Sequence, residues 1–248
     1  NHGGKCVVLN HDSNFMPNLS MLDDVVTEKT KMVIVNSPNN PSGVVYPKNV
    51  LDELGKIIKN LELKYGRDIF IVSDEPYRKI IYDNTRYNHV FSTHANTIVA
   101  TSHSKDLGLA GERIGYVAVN PDNKNKNEII DGLTFSNRIL GFVNAPALMQ
   151  HLITHLQSET VNIEQYRRNR DFLWENLTKI GYEVIKPQGA FYMFPKSPIE
   201  DDVAYVNKLR ENNVLVVPGS GFGSPGYFRI SYCVDNHTLT HCIEGFKK

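Results

Sequence analysis

The apolar positions of this chain fall into short runs closed by polar residues: Cys6–Leu9, Met32–Val35, Ile69–Val72 and Thr97–Ala100. The runs are rich in Val and Ile and do not alternate, which is the pattern of strands buried on both faces. Between the second and third, Leu51, Leu54, Ile58 and Leu61 recur at intervals of three and four, with Pro47 before them and Gly66 after. That spacing and punctuation predict a helix. Strand, helix and strand in alternation predict an α/β fold, a mostly parallel sheet flanked by helices.

A fifth strand, Ile114–Val119, follows a Gly-rich turn and stops at Asn120-Pro121. From about Glu128 to Gly181 the pattern is helical, with Leu148, Leu152 and Leu156 marking one stripe and Phe172, Leu173 and Leu177 another. Short strands follow at Tyr182–Ile185, Ala190–Phe194, Val214–Val217 and Phe228–Cys233, with helical patterns at Val203–Arg210 and His237–Phe246. This shift predicts a large lobe over residues 1–165 and a small α+β C-terminal lobe over 166–248.

A length of 248 residues suffices for both lobes to hold cores. Lys plus Arg balances Asp plus Glu at 27 each, so no global field favours nucleic acid or an anionic membrane. Any anionic ligand must be held by local charges. Cys6, Cys233 and Cys242 show no CxxC spacing, which argues against a disulfide scaffold or structural zinc and fits a reducing, cytoplasmic compartment. No apolar run approaches the roughly 18 residues that span a bilayer. The opening Asn1-His2-Gly3-Gly4-Lys5 reads like the interior of a longer protein.

Ligand chemistry in open α/β sheets gathers at the carboxyl ends of the strands. After Met32–Val35 comes Asn36-Ser37-Pro38-Asn39-Asn40-Pro41-Ser42-Gly43. After Ile69–Val72 comes Ser73-Asp74-Glu75-Pro76-Tyr77. After Thr97–Ala100 comes Thr101-Ser102-His103-Ser104-Lys105, then Gly111, Arg113 and Gly115. Successive strand ends thus offer an amide, a carboxylate with a phenol, and a lysine with hydroxyls and an arginine. Gly219-Ser220-Gly221-Phe222-Gly223 is not a dinucleotide loop, because Pro225, Gly226 and a strand follow it instead of a helix. His103, His151 and His155 form no convincing ligand set, and no metal is expected.

Asn40-Pro41-Ser42-Gly43 resembles the NP(T/S)G motif of the class I/II aminotransferases, and Asp74-Glu75-Pro76-Tyr77 resembles their D-x-x-Y. Ser102-His103-Ser104-Lys105 with Arg113 is similar to their S-x-S-K…R signature, and Phe228-Arg229-Ile230 to their substrate-arginine strand. The resemblance runs in order from near residue 3 to the end. It implies the large domain of the fold type I PLP-transferases, pyridoxal 5'-phosphate (PLP) as cofactor, and an amino acid and a 2-oxo acid as substrates.

Within that resemblance, Lys105 would carry the cofactor by its amine and move the substrate's Cα proton. Asp74 would pair with the pyridine nitrogen, and Tyr77 and Asn40 would donate to the phenolic oxygen. Ser102, Ser104 and Arg113 would hold the phosphate, and Arg229 would clamp the substrate carboxylate with its planar fork. Arg138 is a looser candidate for a distal carboxylate, with an ordinary surface arginine as the better reading.

Plainer readings stand beside these: a helix cap for Asp74, Ser102 and Ser104, core packing for Tyr77, a simple turn at Asn40-Pro41. The resemblance also implies a homodimer with its sites between subunits. It implies that roughly the first third of the family's chain is missing here, so a strand loses its sheet neighbour. A β-lyase or decarboxylase on the same fold, or a non-catalytic fragment, are the alternatives for function.

Overall fold

In the computed structural model, which describes residues 3–247, a single helical turn, α1 (Leu22–Val25), leads to strand β1 (Met32–Asn36). Helix α2 (Lys48–Tyr65) and strand β2 (Phe70–Asp74) follow. Extended Pro47 precedes α2, and Gly66 ends it with a left-handed φ of 64° and its N–H on the Glu62 carbonyl. A residue with a Cβ resists that conformation, so the predicted stop is a steric one. The α2 stripe of Leu51, Leu54, Ile58 and Leu61 is buried against Val35, Ile69, Ile71 and Val99. Each such side chain contributes about 1.5–3 kcal/mol when withdrawn from water.

Strand β3 (Thr97–Ser102), the short helix α3 (His103–Asp106) and strand β4 (Gly115–Val119) complete this sheet. Its order is β1-β2-β3-β4, with the first three parallel and β4 antiparallel. Helices α4 (Lys126–Ile139), α5 (Ala147–Thr154) and α6 (Ile163–Ile180) follow. Then come β5 (Tyr192–Met193), α7 (Asp202–Glu211), β6 (Val217–Pro218), β7 (Phe228–Ser231) and α8 (Asn236–Phe246). The last three strands form an antiparallel sheet in the order β5-β7-β6. Its core joins Leu173 and Leu177 of α6 to Phe228, Leu239, Ile243 and Phe246, and it also takes in Tyr77, Ile80 and Tyr82 from the segment after β2. The chain that leaves the parallel sheet at Asp74 is therefore held in place by C-terminal residues.

Four expectations are corrected. Cys6–Leu9 forms no strand: Val7 and Val8 are 60% and 70% exposed, because no neighbouring strand lies beside them to pair. Asn1 and His2, the start of the opening segment, lie outside the described residues. Tyr182–Ile185 joins no sheet. The Leu148 and Leu152 stripe faces solvent, at 74% and 41% exposed, and α5 buries Ile153 instead. The strands are also not buried on both faces. Met32 and Ile34 on β1 stand 52% and 65% exposed while Val35 packs on α2, so one side of the sheet is open.

Gly43 joins the two halves. Its φ is +73°, and a Cβ there would lie 2.6 Å from Pro187 Cβ and 2.9 Å from the Tyr192 carbonyl oxygen. Gln188 and Gly189 both donate their N–H groups to the Gly43 carbonyl. Gly43→Ala is expected to destabilise by about 2 kcal/mol or more, from left-handed strain and overpacking together. A urea titration checks it: the midpoint should fall with little change in slope.

Candidate active site

Parallel pairing sets the strand ends in line. Asn36 lies opposite Asp74, and Asp74 opposite Ala100, so the segments leaving β1, β2 and β3 emerge at one edge of the sheet. No helix begins at Asp74, which sets aside its reading as a cap. Ser102 does occupy the N-cap position of α3, yet its hydroxyl caps nothing. Asn36, which the sequence reading quoted but gave no task, is the local hub. Its amide donates to the Asp74 carboxylate at 3.1 Å and to the Asp74 carbonyl at 3.0 Å. Its own oxygen accepts the Asn40 N–H at 2.7 Å.

Partial desolvation pushes the Asp74 carboxyl above the ordinary aspartate range, the neighbouring Glu75 charge pushes it further, and the Asn36 bond pulls it back. Glu75 itself is 1% exposed, and neither carboxylate oxygen has a hydrogen-bond partner. A carboxyl that binds its proton more tightly when folded costs stability as pH rises from the unfolded value through the raised one. Asp74→Asn is therefore expected to melt no lower than the parent at neutral pH, with any advantage fading on acidification. Paired thermal melts across pH check this; a clear loss of stability in the variant contradicts it.

The remaining candidates form a continuous run of contacts. The Lys105 ammonium is 5.7 Å from the Phe191 ring centroid, and Phe191 meets Tyr77 edge-on at 5.4 Å. The Tyr77 hydroxyl lies 3.1 Å from that of Tyr192, and the Tyr192 ring lies 4.4 Å from the Arg229 guanidinium carbon. Arg229 donates to the Asn40 side-chain oxygen at 2.8 Å, and Asn40 returns the run to Asn36 and Asp74. The guanidinium carbon also lies 4.6 Å from the Phe222 ring, contributed by the glycine-rich turn 219–223. Arg229 Nε is buried with no hydrogen-bond partner. Burial pushes the Tyr77 phenol upward, and the Tyr192 hydroxyl adds to the shift.

Phe191, Tyr192 and Phe222 were missed by the sequence reading. No local pattern marks them, since they look like the ordinary apolar filling of a short strand and a turn.

Lys105 sits on a firmly anchored helix. The His103 ring is buried and bonds the Asp106 carboxylate at 3.3 Å, which also has the Lys79 ammonium at 3.7 Å. The Asp106 carbonyl accepts from Val161 N–H at 2.7 Å and from the Thr160 hydroxyl at 3.1 Å. His103 thus has a structural partner.

Ser102 and Ser104 are partly exposed. Arg113 is exposed, with a left-handed φ of 50° and one bond to the Ala110 carbonyl at 2.9 Å. Among the described residues these three make no hydrogen bond to one another. The register of β3 on β4 sets Ser102 opposite Gly115, two residues after Arg113. A Cβ at Gly115 would come within 2.4 Å of the Thr101 carbonyl oxygen, so glycine is required for that approach. Arg138 lies in the last turn of α4 and is exposed.

The arrangement offers a lysine, a carboxylate, donors from a phenol and an amide, and a half-buried arginine. Such a set can hold an anionic aromatic ligand and a carboxylate side by side. The comparisons agree in kind. The family profile "Aminotransferase class I and II" matches residues 1–246. An aspartate/prephenate aminotransferase of Thermus thermophilus is 33% identical over 96% of this chain and 61% of its own length. A probable aspartate aminotransferase of Methanocaldococcus jannaschii is 35% identical over 92% of this chain and 61% of its own. The crystal structure of an aminotransferase from Eubacterium rectale superposes with a TM-score of 0.93 at 42% identity, covering 96% of this chain and 60% of that one. The chain thus spans about 61% of the length of these curated relatives. On the strength of the profile match and of these identities, the chain belongs to the class I and II aminotransferase family.

Proposed function

We propose that these residues are the cofactor and substrate site of a PLP-dependent aminotransferase that moves an amino group between an L-amino acid and a 2-oxo acid. The observation that carries this reading is the unbroken run of contacts from Lys105 through Tyr77 and Arg229 to Asp74. When bound, the cofactor supplies an electron sink that makes loss of the substrate's Cα proton feasible.

The residues present fit that group. A raised, partly desolvated Asp74 carboxyl suits a positively charged ring nitrogen, whose charge would offset what burial and Glu75 impose. Asn40 spends its oxygen on Arg229 and keeps its amide protons for a phenolic oxygen, as Tyr77 can offer its hydroxyl. The uncapped Ser102 hydroxyl, Ser104 and the remaining Arg113 donors are free for a phosphate. Lys105 would hold the cofactor and take the Cα proton, and the planar fork of the Arg229 guanidinium would clamp the substrate carboxylate.

The division at 165/166 is part of the same proposal, supported by one core around α2 and another around α6 and α8. Homodimer formation is supported by exposed Phe135, Ile139 and Phe142 on and after α4. A cytoplasmic setting is supported by three unpaired cysteines, and among the described residues no helix is long and apolar enough to cross a membrane.

Since the chain spans 61% of its relatives, we take it to carry part of the machinery. Keto-acid formation from several amino acids with added PLP tests this. The full-length protein should turn over, and the 248-residue chain alone should not. Robust turnover by the chain alone contradicts the incomplete machinery; none by the full-length protein contradicts the function.

A further inference from the structure

Tyr192 belongs to none of the four motifs, yet it touches both halves of the site. It is 7% exposed on β5, opposite Ser231 of the strand that carries Arg229. Its carbonyl oxygen packs within 2.9 Å of where a Cβ on Gly43 would be, so its backbone is fixed against the Asn40–Gly43 turn. Its ring lies 4.4 Å from the Arg229 guanidinium carbon, and its hydroxyl lies 3.1 Å from that of Tyr77.

These contacts can perform separable tasks. A guanidinium in contact with aromatic rings, here Tyr192 and Phe222, is restricted in the orientation of its planar fork, because the face of each ring attracts the cation. The hydroxyl acts on the other neighbour. Each phenol has one proton, and a buried phenol needs a partner. Either of the two hydroxyls can be the donor to the other. Once Tyr77 turns its proton toward another acceptor, Tyr192 is the group left to donate to the Tyr77 oxygen. A hydroxyl that accepts one hydrogen bond becomes a stronger donor of the next.

We propose that Tyr192 is a positioning residue that serves both ligands: its hydroxyl supports Tyr77 as a donor to the cofactor's phenolic oxygen, and its ring aligns Arg229 for the substrate carboxylate. The inference rests on the PLP reading of the site. Tyr192→Phe removes the first task and keeps the second, and Tyr192→Leu removes both.

The test is made on the full-length protein and both variants, with PLP affinity read by absorbance titration. Succinate affinity is read from the change it causes in that absorbance. Tyr192→Phe should weaken PLP about tenfold and leave succinate within about twofold, the loss expected for one buried hydrogen bond. The absorbance of the bound cofactor should also titrate at higher pH in Tyr192→Phe, because a weaker donor stabilises the phenolic oxyanion less. Tyr192→Leu should weaken both ligands. A purely packing residue would not split the two affinities or move the titration. If Tyr192→Phe matches the parent in PLP affinity and titration, the inference falls and the site reading stands. If the parent takes up no PLP, the site reading falls and takes the inference with it.

Discussion

Lys105→Ala is expected to lower transamination by the full-length protein about a thousandfold or more, while leaving the fold intact. Removing a positioned general base costs about 10²–10⁴ in rate, and here the same amine also anchors the cofactor. Lys79, which faces the Asp106 carboxylate next to Lys105 in the chain, is already engaged, donating to the carbonyls of Gln157 and Glu159 at 2.8 Å and 3.2 Å. The helix should survive the change, since His103 and Asp106 hold α3 through their own bonds. Initial rates of keto-acid formation decide it, with circular dichroism as the control for folding. Added methylamine should restore part of the activity by supplying a diffusible base. A variant that keeps more than about a tenth of the parent rate would remove Lys105 from the chemistry.

Arg170→Leu is expected to cost about 3–5 kcal/mol of stability, the usual penalty for breaking a buried ion pair from one side. Arg170 is wholly buried. It donates to the Pro187 carbonyl at 3.0 Å, pairs with Asp83 at 2.7 Å and Asp171 at 2.6 Å, and stacks on the Tyr82 ring at 4.6 Å. It thereby ties the segment after β2 to α6 and to the turn that backs onto Gly43. Asp83 and Asp171 remain partly hydrated, with side chains 49% and 24% exposed, so the loss should fall at the lower end of that range. The lost carbonyl donor and the gap beside Tyr82 add to it. Chemical unfolding of the variant measures the loss, and a change below about 1 kcal/mol would show that Arg170 is not a joint of the fold.

Arg170 also marks where the sequence ceased to be readable. The positions of β1, β2 and β3, α2 with its proline start and glycine stop, and the motifs at strand ends were legible, because each depends on residues close in the chain. Arg170 in an amphipathic helix looks like one more solvated cation; its partner Asp83 lies 87 positions away. Tyr192 and Tyr77 are separated by 115 positions, and Arg229 and Asn40 by 189, so nothing local announces those contacts. The misread elements share a different cause. Val7, Val8 and the Leu148–Leu152 stripe belong to patterns suited to burial, but among the described residues they stay largely exposed. An apolar pattern states that a residue can be buried, and only a neighbouring surface decides that it is.

Asn36 is an intermediate case. An amide one residue past a parallel strand was visible, and the resemblance gave it no role. Only the pairing of Asn36 with Asp74 across the strands reveals that it holds the carboxylate and the Asn40 backbone together.

The most direct measurement is borohydride reduction of the full-length protein in the presence of PLP, followed by peptide mass mapping. A single stable adduct on the peptide containing Lys105, blocked when Lys105 is replaced by alanine, is the predicted result. Adducts scattered over surface lysines with Lys105 unmodified would contradict the account.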